Sequence, residues 1–311
     1  MDASPPGAAP DRTYRQQYLF AFVPQGELVS HVRSEALPAE AARLPAILEA
    51  WKGLQPRVEE IARREAGEAD RVEVQPLPAE IADQVAGYAA APQFRPGVWK
   101  LPIRFGMVEV DRLVAAQRHV NLDFVEALAA RLPPRPTPSE VAAVCLAPQS
   151  QPDAVRHLEL AAHTHAFSSA NSDLRFLGSF QRPARARDGD LLPAGGVPAA
   201  ALVSFIGYGS AGVNVFEAGG RIVLANGFHR VFALRRLGVR RVPAVIQMVR
   251  DPELEFPPAV VQLPREYLLQ APRPVLMRDF LDPAYSIELR IRARFKMVLV
   301  DIQLGQHDLP T

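Results

Sequence analysis

Asn226, Gly227, His229 and Arg230 stand within one short run, Asn226-Gly227-Phe228-His229-Arg230. Residues of these types, this close together, suit the holding of an anion. Arg230 offers a planar fork that fits two phosphate oxygens. His229 can donate a hydrogen bond to phosphate or, with a tuned pKa, move a proton. Asn226 supplies an amide to phosphate or ribose. Gly227 lets the backbone approach a ligand closely. The bland alternative is an ordinary turn, because Asn-Gly is a common turn dipeptide and arginine often opens a surface helix.

Other constellations are weaker. Gly207, Gly209 and Gly212 spell G-x-G-x-x-G, but a dinucleotide site needs a helix after the glycines and an acid about twenty positions on. Residues 213–216 read instead as a strand, and Asn226 stands where the acid belongs. His163 and His165 form H-x-H with His157 upstream, but a metal needs imidazoles that converge on one point and the helical pattern fades here, so no metal is expected. Arg182, Arg185 and Arg187 share a loop with Asp188 and Asp190, a solvated arm or a phosphate-binding one. The single cysteine, Cys145, lies in an apolar run and reads as a buried thiol.

The elements that must position the 226–230 run are legible around it. Residues 221–224 are a short apolar strand, and 225–227 a turn. Residues 228–237 carry helical periodicity, with Val231, Leu234 and Leu237 on one face. Gly238 falls where a helix-ending glycine is expected, and residues 242–246 form a second strand. This arrangement delivers Asn226, His229 and Arg230 to the first turn of the helix, where N–H groups without intrahelical partners and the helix dipole favour phosphate.

The sequence NGFHR, a helix, LG and then VPAVI resembles the core of the ParB/sulfiredoxin-like superfamily. There a strand enters a G-x-H-R or G-x-R-R turn, and the following helix holds nucleotide phosphates. A second, fainter likeness spans 108–132, with Leu113, Gln117 and Asn121 at matching places. The resemblance implies an α+β fold with a ParB/sulfiredoxin-like mixed-sheet core. Two departures narrow the chemistry. Phe228 stands where sulfiredoxins carry the reactive cysteine, which speaks against sulfinic-acid reduction. Asn226 stands where free-serine kinases and related members carry an aspartate. Glu109, Asp111 and Glu217 are candidate bases elsewhere. No helix-turn-helix pattern follows the turn, unlike in ParB partition proteins.

The remainder of the chain is read more coarsely. Residues 1–13 are expected to be a disordered leader, 14–99 an N-terminal accessory region, 100–250 the core with an insertion at about 133–200, and 251–311 a C-terminal β extension. Within these, 18–23 and 28–32 are expected to form a hairpin, and 44–64 a helix interrupted at Pro56. Residues 71–74 read as a strand, 80–90 and 122–132 as helices, 98–110 as a strand and 153–162 as a helix. A helix near 276–281 and a final strand or hairpin from 287 follow.

Thirty-five basic and 34 acidic residues leave a formal charge of +1, which argues against tight autonomous binding of DNA. No signal peptide and no run long enough to span a membrane is apparent, so a cytoplasmic protein is expected. The leading functional expectation is a regulatory module that binds a nucleoside triphosphate with Mg²⁺ at Asn226, Gly227, His229 and Arg230. Binding would switch the inserted segment, a protein partner or a homodimer interface. The alternatives are a ParB-like nuclease or NTP hydrolase, a partition-like protein with weak or indirect DNA binding, and a degenerate interaction scaffold.

Overall fold

Residues 12–91, 101–146, 154–161, 163–171, 173–191, 196–209, 212–261, 263–303 and 305 are described by the computed structural model. The chain divides into two units. Met1–Pro148 and Ala211–Ala293 form the first; Gln149–Ser210 and Arg294–Thr311 form the second.

The first unit opens with β1 (Thr13–Tyr18), α1 (Gln25–Glu35), α2 (Pro38–Ala41), α3 (Leu44–Arg64) and α4 (Ala82–Ala90). It continues through β2 (Ile103–Glu109), β3 (Val114–Ala115), β4 (His119–Asn121), α5 (Leu122–Ala129) and α6 (Pro138–Cys145). The second unit holds β5 (Arg156–Ala161), β6 (Thr164–Ser169), β7 (Leu174–Pro183) and β8 (Ala200–Tyr208). The chain then returns to the first unit with β9 (Asn214–Ala218), β10 (Arg221–Asn226), α7 (Phe228–Arg236) and β11 (Arg241–Met248). α8 (Pro252–Glu255), β12 (Ala259–Val260), β13 (Leu263–Pro264), α9 (Arg265–Gln270) and β14 (Ile287–Arg292) complete it, and β15 (Lys296–Asp301) belongs to the second unit.

The fold is thus a mixture of helices and sheets, as the α+β reading expected. In the first unit a five-stranded sheet has the order β2-β11-β9-β10-β3, with β11–β9 and β10–β3 parallel and the other pairs antiparallel. A three-stranded antiparallel sheet, β14-β1-β4, joins the two ends of that unit. In the second unit β15-β6-β5 and β7-β8 are separate antiparallel sheets.

β11 is buried along most of its length, which fits a strand flanked by neighbours on both edges. It nonetheless contains Pro243, which cannot donate to a ladder. Pro243 faces Met107 of β2, and Met107 exchanges its backbone hydrogen bonds with Gln75 on its far side. The missing N–H therefore falls on the flank toward β9, whose pairing with β11 begins only at Val245. α7 packs Phe228, Val231, Phe232, Ala233 and Leu234 into the same core as Val223 of β10 and Val245 of β11.

Several expectations are corrected. Residues 18–23 and 28–32 are not a hairpin. The strand is β1, Phe20–Phe22 is a 3-10 turn, and 28–32 lie in α1, which buries Leu28 and Val32 one helical turn apart. α3 runs through Pro56 without a break. Residues 71–74 form no strand; Arg71 has a φ of 55°, and only a bridge from Gln75 to Met107 follows. The helix expected at 153–162 is β5 in its described part. Near 276–281 the helix is a short 3-10 one, Met277–Leu281. The tail is not one β extension, because β14 pairs with β1 in the first unit and β15 with β6 in the second. The expected insertion begins earlier than the second unit does, since α6 lies in the first. Residues 1–11 of the leader and 98–100 of the strand expected at 98–110 lie outside the described residues.

Candidate functional site

β10, the turn and α7 bring the 226–230 run to one end of the five-stranded sheet. Gly227 has a φ of 99°, the left-handed conformation, and caps α7. A Cβ there would stand 2.9 Å from Val213 Cγ2 and 3.1 Å from Val213 Cα, so the turn lies directly on the backbone that enters β9. Val213 is itself fixed on both sides. Its N–H donates to the Cys145 carbonyl at 2.7 Å, and its carbonyl accepts from Val245 N–H at 2.9 Å. The Asn226 side chain folds back, its Oδ1 accepting the Gly227 N–H at 2.9 Å.

His229 and Arg230 are half-buried on the first turn of α7, where backbone N–H groups have no intrahelical acceptor. The His229 ring meets Phe124 of α5 in a T-shaped arrangement, with centroids 5.3 Å apart. Burial, and then the charge of Arg230, hold the His229 imidazole down at about 4. Arg230 is the most unusual group here. Among the described residues it has no hydrogen-bond acceptor and no ion-pair partner. Burial lowers its pKa, Cys145 and Tyr88 act in the opposite direction, and the nearby Arg131 adds to the lowering. Two guanidinium groups and a helix N-terminus thus combine their positive fields with no carboxylate hydrogen-bonded to Arg230.

The candidate bases are engaged elsewhere. Asp111 accepts from Arg235 Nε at 2.6 Å and Nη2 at 3.0 Å, at the other end of α7. Glu217 takes both oxygens to Arg104, with Nη2 at 2.8 and 2.9 Å. Glu109 sits in β2 opposite Arg241, where β11 begins, whereas the turn lies near the Val245 level of that strand. The arrangement can hold an anion, but none of the three carboxylates stands at the turn.

Gly212 adjoins the same neighbourhood, since a Cβ on it would collide with the Tyr88 hydroxyl. The G-x-G-x-x-G stretch runs between β8 and β9 with no helix after it, so the dinucleotide reading lacks its structural context. Leu113 is buried, Asn121 caps α5 by accepting the Phe124 N–H at 3.0 Å, and the Gln117 amide donates to the His119 carbonyl. Cys145 is buried and its thiol is pushed up to about 12 by burial. In the second unit His157 Nε2 and His165 Nδ1 are 3.1 Å apart, and no group of three or more metal-ligating side chains occurs among the described residues. Arg182 is bound by Asp188 at 2.7 and 2.9 Å, so that arginine is already paired.

Sequence reasoning missed Tyr88, Phe124, Arg131 and His119 as neighbours of the turn. They come from α4, α5, the α5 C-terminus and β4, and no local pattern links them to residues 226–230. Comparison with protein-family models, curated proteins and solved structures found no match. No helix among the described residues is long and apolar enough to cross a membrane.

Burial makes a pH prediction. His119 is held at about 4 by burial, with the charges of His31 and His229 adding to the effect. Both His119 and His229 stay neutral in the fold while an unfolded imidazole protonates near pH 6.5. Their folded pKa values are depressed, so stability is full above about pH 6.5 and falls as pH drops toward 4. The urea midpoint is expected to be lower at pH 5 than at pH 7, and His229→Gln to shrink that difference.

Proposed function

We propose that the chain binds the phosphates of a nucleoside triphosphate at the turn formed by Asn226, Gly227, His229 and Arg230, as a regulatory module of the ParB/sulfiredoxin-like type. The observation that carries this reading is the half-buried Arg230 guanidinium on the first turn of α7, which has no acceptor among the described residues and feels the like charge of Arg131. Retaining an uncompensated cation at a helix N-terminus is costly unless an anion visits it. The strand–turn–helix–strand order supports the fold assignment. Asp111 and Glu217 sit in two-pronged ion pairs, which favours holding a nucleotide over cleaving it. In this reading Mg²⁺ arrives on the phosphate oxygens.

The test is a thermal-shift series with ATP, GTP, CTP and UTP, each with and without magnesium. A ligand at a hundred times its Kd adds about 2.7 kcal/mol to the folded state, enough to raise Tm by roughly 5 °C or more. Arg230→Ala is expected to abolish the shift with the fold intact, and the exposed Arg236→Ala to preserve it. No shift with any of the four nucleotides refutes the proposal. Release of inorganic phosphate from the nucleotide that binds would favour the hydrolase alternative instead.

A further inference from the structure

A cleft of about 540 Å³ lies in the first unit between β1, α1 and the segment joining β3 to β4. Its volume is that of a small-molecule site. Its walls are polar and built with care. Tyr18 and Arg118, both lining it, are 2% and 8% exposed. The Tyr18 hydroxyl and the Arg118 Nε are buried and have no hydrogen-bond partner among the described residues. Buried donors of this kind are rare in folded proteins and call for an explanation.

Both side chains are held in place by their other atoms. The Tyr18 ring stacks on His31 with centroids 4.0 Å apart and planes 9° from parallel. His31 Nε2 is in turn 2.7 Å from the buried Gln16 Oε1. Arg118 donates through Nη1 to the Phe22 carbonyl, and its guanidinium lies over the Tyr267 ring at 5.2 Å. Glu27, half-exposed, is ion-paired with Arg118 at 3.8 Å from Nε, beyond hydrogen-bond distance. Burial keeps His31 and His119 below the ordinary imidazole range, so among the described residues the charges facing the cleft are those of Arg118, Glu27 and Glu35.

We infer that this cleft is a second binding site, for a small molecule of no net charge that carries an oxygen acceptor beside an N–H donor. The oxygen accepts from Tyr18 Oη and Arg118 Nε, which binding must first uncover because neither atom is exposed in this structure, and the donor meets the carboxylate of Glu27. A simple anion is disfavoured, because two carboxylates face one guanidinium. A simple cation leaves the two buried donors unsatisfied. An amide and a zwitterionic amino acid share the required chemistry. The inference does not rest on the phosphate reading of the turn at 226–230.

The test titrates the full chain with glycine, acetamide, acetate and methylammonium, followed by saturation-transfer NMR. Glycine or acetamide is expected to bind at least fivefold more tightly than acetate or methylammonium, and the better of the two names the source. Tyr18→Phe is expected to weaken that binding about fivefold and Glu27→Gln about tenfold. Tyr18→Phe removes only an unsatisfied hydroxyl, so its Tm is expected to equal or exceed that of the parent, which separates lost binding from lost folding. Equal binding of the monofunctional probes, unchanged binding in either variant, or no binding of any probe at tens of millimolar overturns the inference and leaves a merely hydrated cleft.

Discussion

Gly227→Val is expected to destabilise the protein by about 3 kcal/mol, read as a lower urea midpoint with an unchanged slope. Two costs combine. A β-branched residue at a φ of 99° is forced into the left-handed region, where its side chain crowds its own backbone. The new Cβ would also meet Val213 Cγ2 at 2.9 Å and Cα at 3.1 Å. The side-chain contact could give, but Val213 is tied by its N–H to Cys145 and by its carbonyl to Val245. Relief must therefore come from the turn, and moving the turn moves Arg230. Gly227→Ala has the same backbone strain with less bulk and is expected to cost about half as much. In both variants the nucleotide binding proposed for this turn should fall in parallel with stability. Arg230→Ala, in contrast, should lose binding alone.

Asp279→Ala is expected to cost a similar amount, about 3 kcal/mol, at the low end of what breaking a buried ion pair costs. Arg273 and Asp279 have side chains 3% and 5% exposed and meet through two bonds of 2.6 and 2.7 Å. Asp279 also accepts the Leu276 N–H at 2.8 Å. Removing the carboxylate strands the guanidinium in the core and leaves that amide unsatisfied. Glu65 limits the damage, since it accepts from Arg273 Nη2 at 3.0 Å. Glu65 carries an acid signature too. Burial alone would push its carboxyl up, but Arg64, Arg273 and Arg278 overrule this and hold it at about 2. That folded value lies below the unfolded one, so its contribution is present above about pH 4.5 and is lost as pH falls toward 2.

The local frame of the candidate site was readable because its signals are local. An apolar run, Asn226-Gly227, helical spacing from Phe228 and a glycine at 238 each specify one step, and β10, α7 and β11 follow them. Where partners are distant the reading failed. Leu28 and Val32 suit a strand or a helical stripe equally well, and the strand partners of Tyr18 are not nearby residues but Ile287 of β14 and His119 of β4. β5 is exposed at every position, so it has no buried face to betray its period, and only its pairing with β6 makes it a strand. Pro56 was expected to break α3, but the helix packs on both of its sides and continues through it. Tyr88, Phe124 and Arg131 reach the turn from elements whose sequences do not mention it. The cleft at Tyr18 was invisible for the same reason, as Arg118 and Glu27 meet only through the fold.

The pairing of β1 with β14 constrains how the protein can be made. β1 is the middle strand of its sheet, between β4 and β14. On a ribosome adding ~5–20 residues per second, β1 would wait on the order of tens of seconds for β14 to be synthesised. During that interval one of its edges can be met by β4 only at Gln16, Gln17 and Tyr18, and the other stays open. β6 waits for β15 in the same way. Neither unit can close on a nascent chain as it emerges, so both mature late, and an unpaired strand edge is what a holding chaperone would have to cover.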